Sequence, residues 1–303
     1  MAASATEVVS GTAARSAGLA RAADFVALTR PRILLLVLFT VPPAFVLGGG
    51  HWPSPLGLLG VLLGVMLLGA GSSALNAWWE RDRDARMVRT AIRPLPQQRL
   101  APREALAFGL ATSVAGAALL AATAGALAAV LGLVTLAHYL VVYTAWLKPR
   151  SAASTVVGAL AGAAPPLIAD AADGSIGAFG LLLFAIVFLW QPPHVWAIAS
   201  YRSDEYAAAG FPMLPRVAGP TTARRWMLAF ALALWGVMLV PWLSGELGAI
   251  YAATAFFAGL FFVARIAQAM RIATPEADRT VFRASLITLP AVLAVMLAEC
   301  LIR

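Results

Sequence analysis

The sequence predicts an all-α, polytopic membrane protein of nine transmembrane helices, with its function at the inner face. Three observations predict it. Hydrophobic residues make up 61% of the 303, charged residues only 12%, and the mean hydropathy is +0.84. Uncharged runs long enough to cross about 30 Å of hydrocarbon at about 1.5 Å per residue recur along the chain. The few charges gather in alternate connections between those runs.

Residues 1–24 combine Arg, Ser and Ala with few acids. That pattern resembles a transit peptide, but Glu7 and Asp24 dilute it, and a disordered cytoplasmic tail is the expectation. Residues 25–303 then form one transmembrane domain. Its expected spans are Ile33 to Gly49, Leu56 to Ala77, Ala105 to Ala122, Gly125 to Trp146, Ser151 to Ala169, Gly177 to Ser200, Trp226 to Ser244, Leu247 to Ala264 and Ala284 to Ile302. The third and fourth share one uncharged run, Ala105 to Trp146, about twice a bilayer thickness at helical rise, so it is divided near Gly125.

A net charge of +8 raises the question of nucleic acid, and the placement of the charges answers it. With an inside N-terminus, the outside connections lie around Gly50, Ala124, Asp173 and Gly245, and 21 of the 22 Lys and Arg residues fall inside; Arg303 is the exception. That is the positive-inside pattern of a cell-membrane protein, with the C-terminus outside and a mitochondrial inner membrane the second choice. The partner is the lipid bilayer rather than nucleic acid. The single Cys300 allows no internal disulfide.

Two inside connections are long and polar, and function is expected there. Asn76, Glu80 and Asp84 recur every fourth residue where the second span ends, so on a continuing helix they share a face. Three oxygen donors one turn apart suit a hard cation such as Mg2+, which takes one or two carboxylates and leaves positions for water and phosphate. Arg86, Arg89 and Arg93 follow, and Lys148 ends the fourth span on the same side. Guanidinium forks and an ammonium suit phosphate oxygens, so acids and bases together describe a diphosphate site. The plainer alternative is a solvated loop whose pairs contribute about 0–1 kcal/mol each.

A second cluster begins at "WQPPHVWAIASYRSDEY", Trp190 to Tyr206. His194 stands in an otherwise apolar span beside Pro192 and Pro193, which lack backbone donors, and an ionisable group at that depth is a functional candidate. Arg202, Asp204 and Glu205 follow at the inner face, where an acid facing the first cluster would complete a second metal position. His138 reads as structural.

The run Asn76, Glu80, Asp84, Met87, Arg89, Thr90, Arg93, in the spacing Asn-x3-acid-x3-Asp-x2-Met-x-Arg-Thr-x2-Arg, resembles the first signature of the UbiA-type intramembrane prenyltransferases. Four further stretches, "LTRPRILLLVLFT", "YTAWLKPRS", "GALAGAAPPL" and "WQPPHVWAIASYRSDEYAAAGFPMLP", resemble the branch of that family that farnesylates protohaem IX. The resemblance implies nine transmembrane helices in a single bundle with a cytoplasmic-side active site, and a Mg2+-dependent enzyme that joins farnesyl diphosphate to a vinyl group of haem B, giving haem O for terminal oxidase biogenesis. Asn76, Glu80, Asp84 and Glu205 would hold the metal, and Arg89, Arg93 and Lys148 the diphosphate. His194 and Arg202 would contact haem. Haem A synthase or oxidase assembly factors would be partners. A related enzyme with a quinone ring or lipid as acceptor, and a transporter or haem-handling protein using the broken helices as a path, stand as alternatives.

Overall fold

The computed structural model describes residues 18–49 and 54–302; residues 1–17 and the connection around Gly50 lie outside them. The described residues hold helices and turns and no strand. The described residues begin with α1 (residues 18–28), so residues 18–24 of the expected tail are helical. They are held against the loop at Arg99 and the start of the helix that follows it. Arg21 pairs with Glu104, Arg99 reaches Asp24 at 2.9 Å, and the Phe25 ring lies tilted against the Phe108 ring with centroids 5.2 Å apart. The tail expectation for residues 1–17 lies outside the described residues.

The first span is α2 (Pro31–Leu38) and α3 (Val41–Gly49), divided at Phe39 and Thr40. Pro42 and Pro43 stand in the first turn of α3, where a helix has no partner for the missing N–H. Next, α4 (Pro55–Asp84) is a 30-residue helix begun by Ser54, whose hydroxyl accepts from Gly57 N–H at 3.0 Å. At about 45 Å it is longer than the hydrocarbon is thick, so its last turns carry Glu80 and Asp84 past the apolar region.

Helix α5 (Pro102–Ala137) packs closely on α4 through small residues. A Cβ added at Gly71 would collide with Ser113 and at Gly109 with Leu75, and one at Gly116 would come within 2.7 Å of the Leu68 amide nitrogen. Glycine here lets the two backbones approach. At Gly125, with φ 81° and ψ 174°, the helix breaks. Gly116 and Gly132 both lie against Leu68, although 16 residues of straight helix would separate them by about 24 Å. The chain therefore turns back at Gly125, a conformation that glycine tolerates. The returning limb ends as a π-helix (His138–Leu147) that brings Lys148 back to the end of α4.

The remaining elements are α6 (Ser154–Ala163), α7 (Pro165–Asp170) with a 3-10 turn (Ala171–Asp173), α8 (Ala178–Tyr201), the short α9 (Ser203–Ala208) and α10 (Leu214–Val217), then α11 (Pro220–Leu243), α12 (Ala249–Ile272) and α13 (Pro275–Ile302). Pro165 opens α7 and ends α6, whereas α8 runs on through Pro192 and Pro193.

Among the described residues eight segments are long and apolar enough to cross a membrane, against the nine expected. The difference is one segment: Pro102–Leu147 counts once by continuity and is folded double at Gly125. The buried centre, including Trp190, Met227, Leu234, Tyr251, Phe262 and Leu293, is continuous from α3 to α13. Large apolar side chains such as Leu56, Val114, Ile250 and Phe257 point outward, as a lipid solvent permits. Arg224 and Asp278 form a buried two-bond pair, at 2.8 and 2.7 Å, that ties α11 to α13.

Candidate active site

The end of the bundle where α2 begins and α4 and the π-helix finish contains a cavity of about 500 Å³. Its wall includes Glu80, Asp84, Arg89, Arg93, Lys148 and His194, so the structure brings together six of the residues singled out by the sequence. A second cavity of about 270 Å³ adjoins it, sharing Arg30, Tyr139, Tyr143, Thr155 and Gln191, and runs among apolar residues of α2, α4 and the α5 return limb.

The stack of Asn76, Glu80 and Asp84 on α4 is buried along its length, at 0%, 3% and 5% exposure. Lys148 Nζ donates to both oxygens of Glu80 at 2.5 and 2.7 Å, and its ammonium lies 4.6 Å from the Phe211 ring centroid. Arg93 Nη1 donates to Asp84 Oδ2 at 2.7 Å. The loop that carries Arg93 is pinned by Thr90, whose hydroxyl donates to the Asp84 carbonyl at 2.7 Å. A charge buried to this degree requires a counter-ion, and each carboxylate here has one. Arg89 is exposed and borders the cavity mouth.

Asn76 takes a different place. Its Oδ1 accepts from Arg30 Nη2 at 2.6 Å and its Nδ2 donates to Thr144 Oγ1 at 3.1 Å, and it is absent from the cavity wall. Arg30, an inside charge within the stretch "LTRPRILLLVLFT", borders both cavities. It caps α2 in a left-handed conformation, φ 54° and ψ 60°, sparsely populated by residues other than glycine and found at functional positions. Desolvation opposes its charge, but Tyr139, Glu80 and Asp84 outweigh that and hold its pKa above the usual arginine value. Arg93 goes the other way: burial and the neighbouring Arg30 lower its pKa, against the pull of Asp84. The one signal for Arg30 in the sequence was its position immediately before Pro31 at a span entrance.

His194 stacks on Trp190 at 4.5 Å and lies 5.0 Å from the Phe282 ring. Its Nδ1 is 2.7 Å from Ser285 Oγ, and that hydroxyl gives its only hydrogen to the Phe282 carbonyl at 2.6 Å. Ser285 Oγ therefore accepts, Nδ1 carries the proton, and Nε2 is left with its lone pair on a residue of the cavity wall.

Three of the sequence candidates lie elsewhere. Arg202 and Glu205 are absent from the cavity wall; they pair with each other at 2.5 Å on consecutive turns, and the Arg202 guanidinium lies 5.4 Å from the Tyr201 ring. The side-chain pairing inside α9 and its junction outcompetes the reach toward α4. Glu205 Oε2 is buried without a hydrogen bond. Asp204 is exposed. His138, read from the sequence as structural, has Nε2 2.9 Å from the Val157 carbonyl.

Among the described residues no group of three or more His, Cys, Asp or Glu side chains forms a metal cluster. The donor set still fits a hard divalent cation. Glu80 and Asp84 present carboxylates one turn apart in the cavity wall, and their present counter-ions are side chains that can turn to an anion instead.

The UbiA prenyltransferase family model matches residues 36–289. The chain is 43% identical over 282 residues, 91% of its length and 89% of the relative's, to the protoheme IX farnesyltransferase of Methylobacterium radiotolerans. To that of Rhodopseudomonas palustris strain BisB18 it is 40% identical over 290 residues, 94% and 92% of the two chains. A solved UbiA homologue from Archaeoglobus fulgidus bound to GPP and Mg2+ superposes with a TM-score of 0.64 at 20% identity, covering 90% of this chain and 99% of that one, and shares the fold. With a family match over most of its length and relatives at this identity, the chain belongs to the UbiA prenyltransferase family.

Proposed function

We propose that this protein transfers a farnesyl group from farnesyl diphosphate to a vinyl group of haem B, giving haem O, with Mg2+ as the required ion. The observation that carries the reading is the double character of the cavity. One wall sets two buried carboxylates among Arg30, Arg89, Arg93 and Lys148, and the space beyond is apolar and joins a second apolar cavity. Names of relatives at 40–43% identity supply the acceptor, and the GPP and Mg2+ of the Archaeoglobus homologue support the ion.

Glu80 and Asp84 would hold the magnesium, with Asn76 fixing Arg30 beside them. Bound there, the ion would supply Lewis-acid charge for the diphosphate oxygens. Lys148 and Arg93, exchanging their carboxylates for phosphate, and Arg89 at the mouth would stabilise the charge that builds as the allylic C–O bond breaks. The farnesyl chain would lie in the apolar cavity, where low water content protects the allylic cation. Imidazole Nε2 of His194 would meet the haem iron, and its Nδ1–H bond to Ser285 holds the ring in the tautomer that a metal needs. Arg202 would reach a haem propionate and Glu205 a second metal position only after their mutual pair opens.

The same reading sets the basic face in the cytoplasm and the C-terminus outside, in the cell's inner membrane, as the positive-inside pattern supports. Haem A synthase or an oxidase assembly factor would receive the product. The test is the full chain in membranes lacking their own activity, given farnesyl diphosphate, haem B and Mg2+, with the products weighed. Haem O is expected from the wild type and none from Asp84→Asn, inserted to the same level. A prenylated quinone or lipid in place of haem O, or full activity in Asp84→Asn, overturns the assignment.

A further inference from the structure

The two cavities meet at a neck, and one buried polar group there has no protein partner. Thr155 is 6% exposed, borders both cavities, and its Oγ1 makes no hydrogen bond. A buried hydroxyl left unpaired costs about 1–3 kcal/mol, so such a group calls for a ligand. One turn further on the same face of α6, the Ala159 carbonyl accepts from Gln191 Nε2 at 3.1 Å, and a second Nε2 bond goes to the Val187 carbonyl at 3.3 Å. Both amide hydrogens of Gln191 are thus used, which leaves Oε1 as an acceptor at the same neck. Gly162 makes room for it, since a Cβ there would collide with Oε1.

We propose that Thr155 and Gln191 hold a single water at this neck and that this water becomes the hydroxyl of the product. The proposal rests on the function proposed above. In that reading the diphosphate lies at the charged wall and the farnesyl chain in the apolar cavity, so the allylic carbon lies between them, at the neck. Thr155 Oγ1 and Gln191 Oε1 accept the two hydrogens of the water, which restrains it from the allylic cation and leaves a lone pair for the inner vinyl carbon of haem once that carbon carries the charge. A water needs two to four polar partners to be retained in such a space, and Thr155 and Gln191 supply two of them at the neck.

The step balances without another reagent. Breaking the C–O bond gives the allylic cation, and the terminal vinyl carbon of haem attacks it, leaving positive charge on the inner vinyl carbon beside the ring. The held water forms a C–O bond to that carbon, and its surplus proton passes to the released diphosphate in the same cavity. Without the water the same cation loses a proton from the adjoining CH2, forming a double bond. That product is lighter by one water and is made with the same release of diphosphate. Thr155 and Gln191 are therefore positioning residues whose signature is the partition between two products.

The experiment uses the full chain in nanodiscs with farnesyl diphosphate, haem B and Mg2+ in H2-18O, reading released diphosphate and product masses. Wild type is expected to give haem O carrying the heavy oxygen. Thr155→Val, nearly the same shape without the hydroxyl, is expected to go on releasing diphosphate. Its ratio of the dehydrated product to haem O should rise about tenfold, in keeping with one lost hydrogen bond. Gln191→Leu should move the ratio the same way, and Thr155→Ser should restore haem O. Haem O as the sole product of Thr155→Val overturns the proposal. So does loss of all turnover in Thr155→Val together with an unchanged ratio in Gln191→Leu. No farnesylated haem of either mass from the wild type overturns the function itself, a result distinct from these.

Discussion

Replacing Lys148 by Met separates the two roles its position implies. In the resting protein the ammonium holds both oxygens of Glu80, at 2.5 and 2.7 Å, and Glu80 is 3% exposed. Removing one partner of a buried pair typically costs about 3–5 kcal/mol, because the other charge stays behind. Here the lower figure, about 3 kcal/mol, is expected, since Arg30 also acts on Glu80 and Arg93 still answers Asp84. If Glu80 is a metal ligand, magnesium should replace the lost ammonium. At about one hundred times its dissociation constant it would restore about 2.7 kcal/mol. The assay is the apparent unfolding midpoint in detergent micelles, with and without Mg2+, of wild type, Lys148→Met and the double variant Glu80→Gln/Lys148→Met. The single variant should melt lower and recover with Mg2+ by more than the wild type. The double variant should recover stability without the ion. Both should turn over more slowly by on the order of 10² to 10³, since the cation proposed to neutralise the leaving diphosphate is gone. A Lys148→Met protein as stable as the wild type, or an equal Mg2+ response in all three, would refute the reasoning.

His194→Ala should lower haem affinity and abolish a shifted Soret band, and Ser285→Ala, which frees Nδ1, should weaken haem binding about tenfold or more; an unchanged spectrum in His194→Ala returns that ring to a packing role against Trp190 and Phe282. Arg224→Met should lower the unfolding midpoint by the equivalent of about 3–5 kcal/mol, and Arg224→Met/Asp278→Leu should recover most of it. A single variant with the wild-type midpoint would mean that the pair between α11 and α13 carries little of the fold.

Much of the site was legible because its logic is local. Glu80 and Asp84 are one turn apart on a helix that outruns the membrane, and that periodicity needs no tertiary information. Arg93 pairs with Asp84 across only nine positions. Gly125 could be chosen as the turning point because 42 uncharged residues are too long for one crossing, and it has the backbone angles that glycine permits. Asn76 belonged to the same ladder in sequence, yet its partners, Arg30 and Thr144, come from 46 and 68 positions away.

What the sequence determined by itself was the class, a membrane protein from composition; the arginines set its expected orientation, and the spacing of acids and bases the proposed diphosphate site. The tertiary structure alone decided which of those groups share a cavity. It turned Arg202 and Glu205 toward each other, made Asn76 a support for Arg30, and set Ser285 of α13 beside His194 to fix which imidazole nitrogen keeps its lone pair. It also left the Thr155 hydroxyl unpaired where two cavities join. The physical reason is that helical spacing depends on neighbours a few residues away. Whether a polar group finds a partner depends on how closely glycine faces let whole helices approach, and that is settled only when the bundle packs.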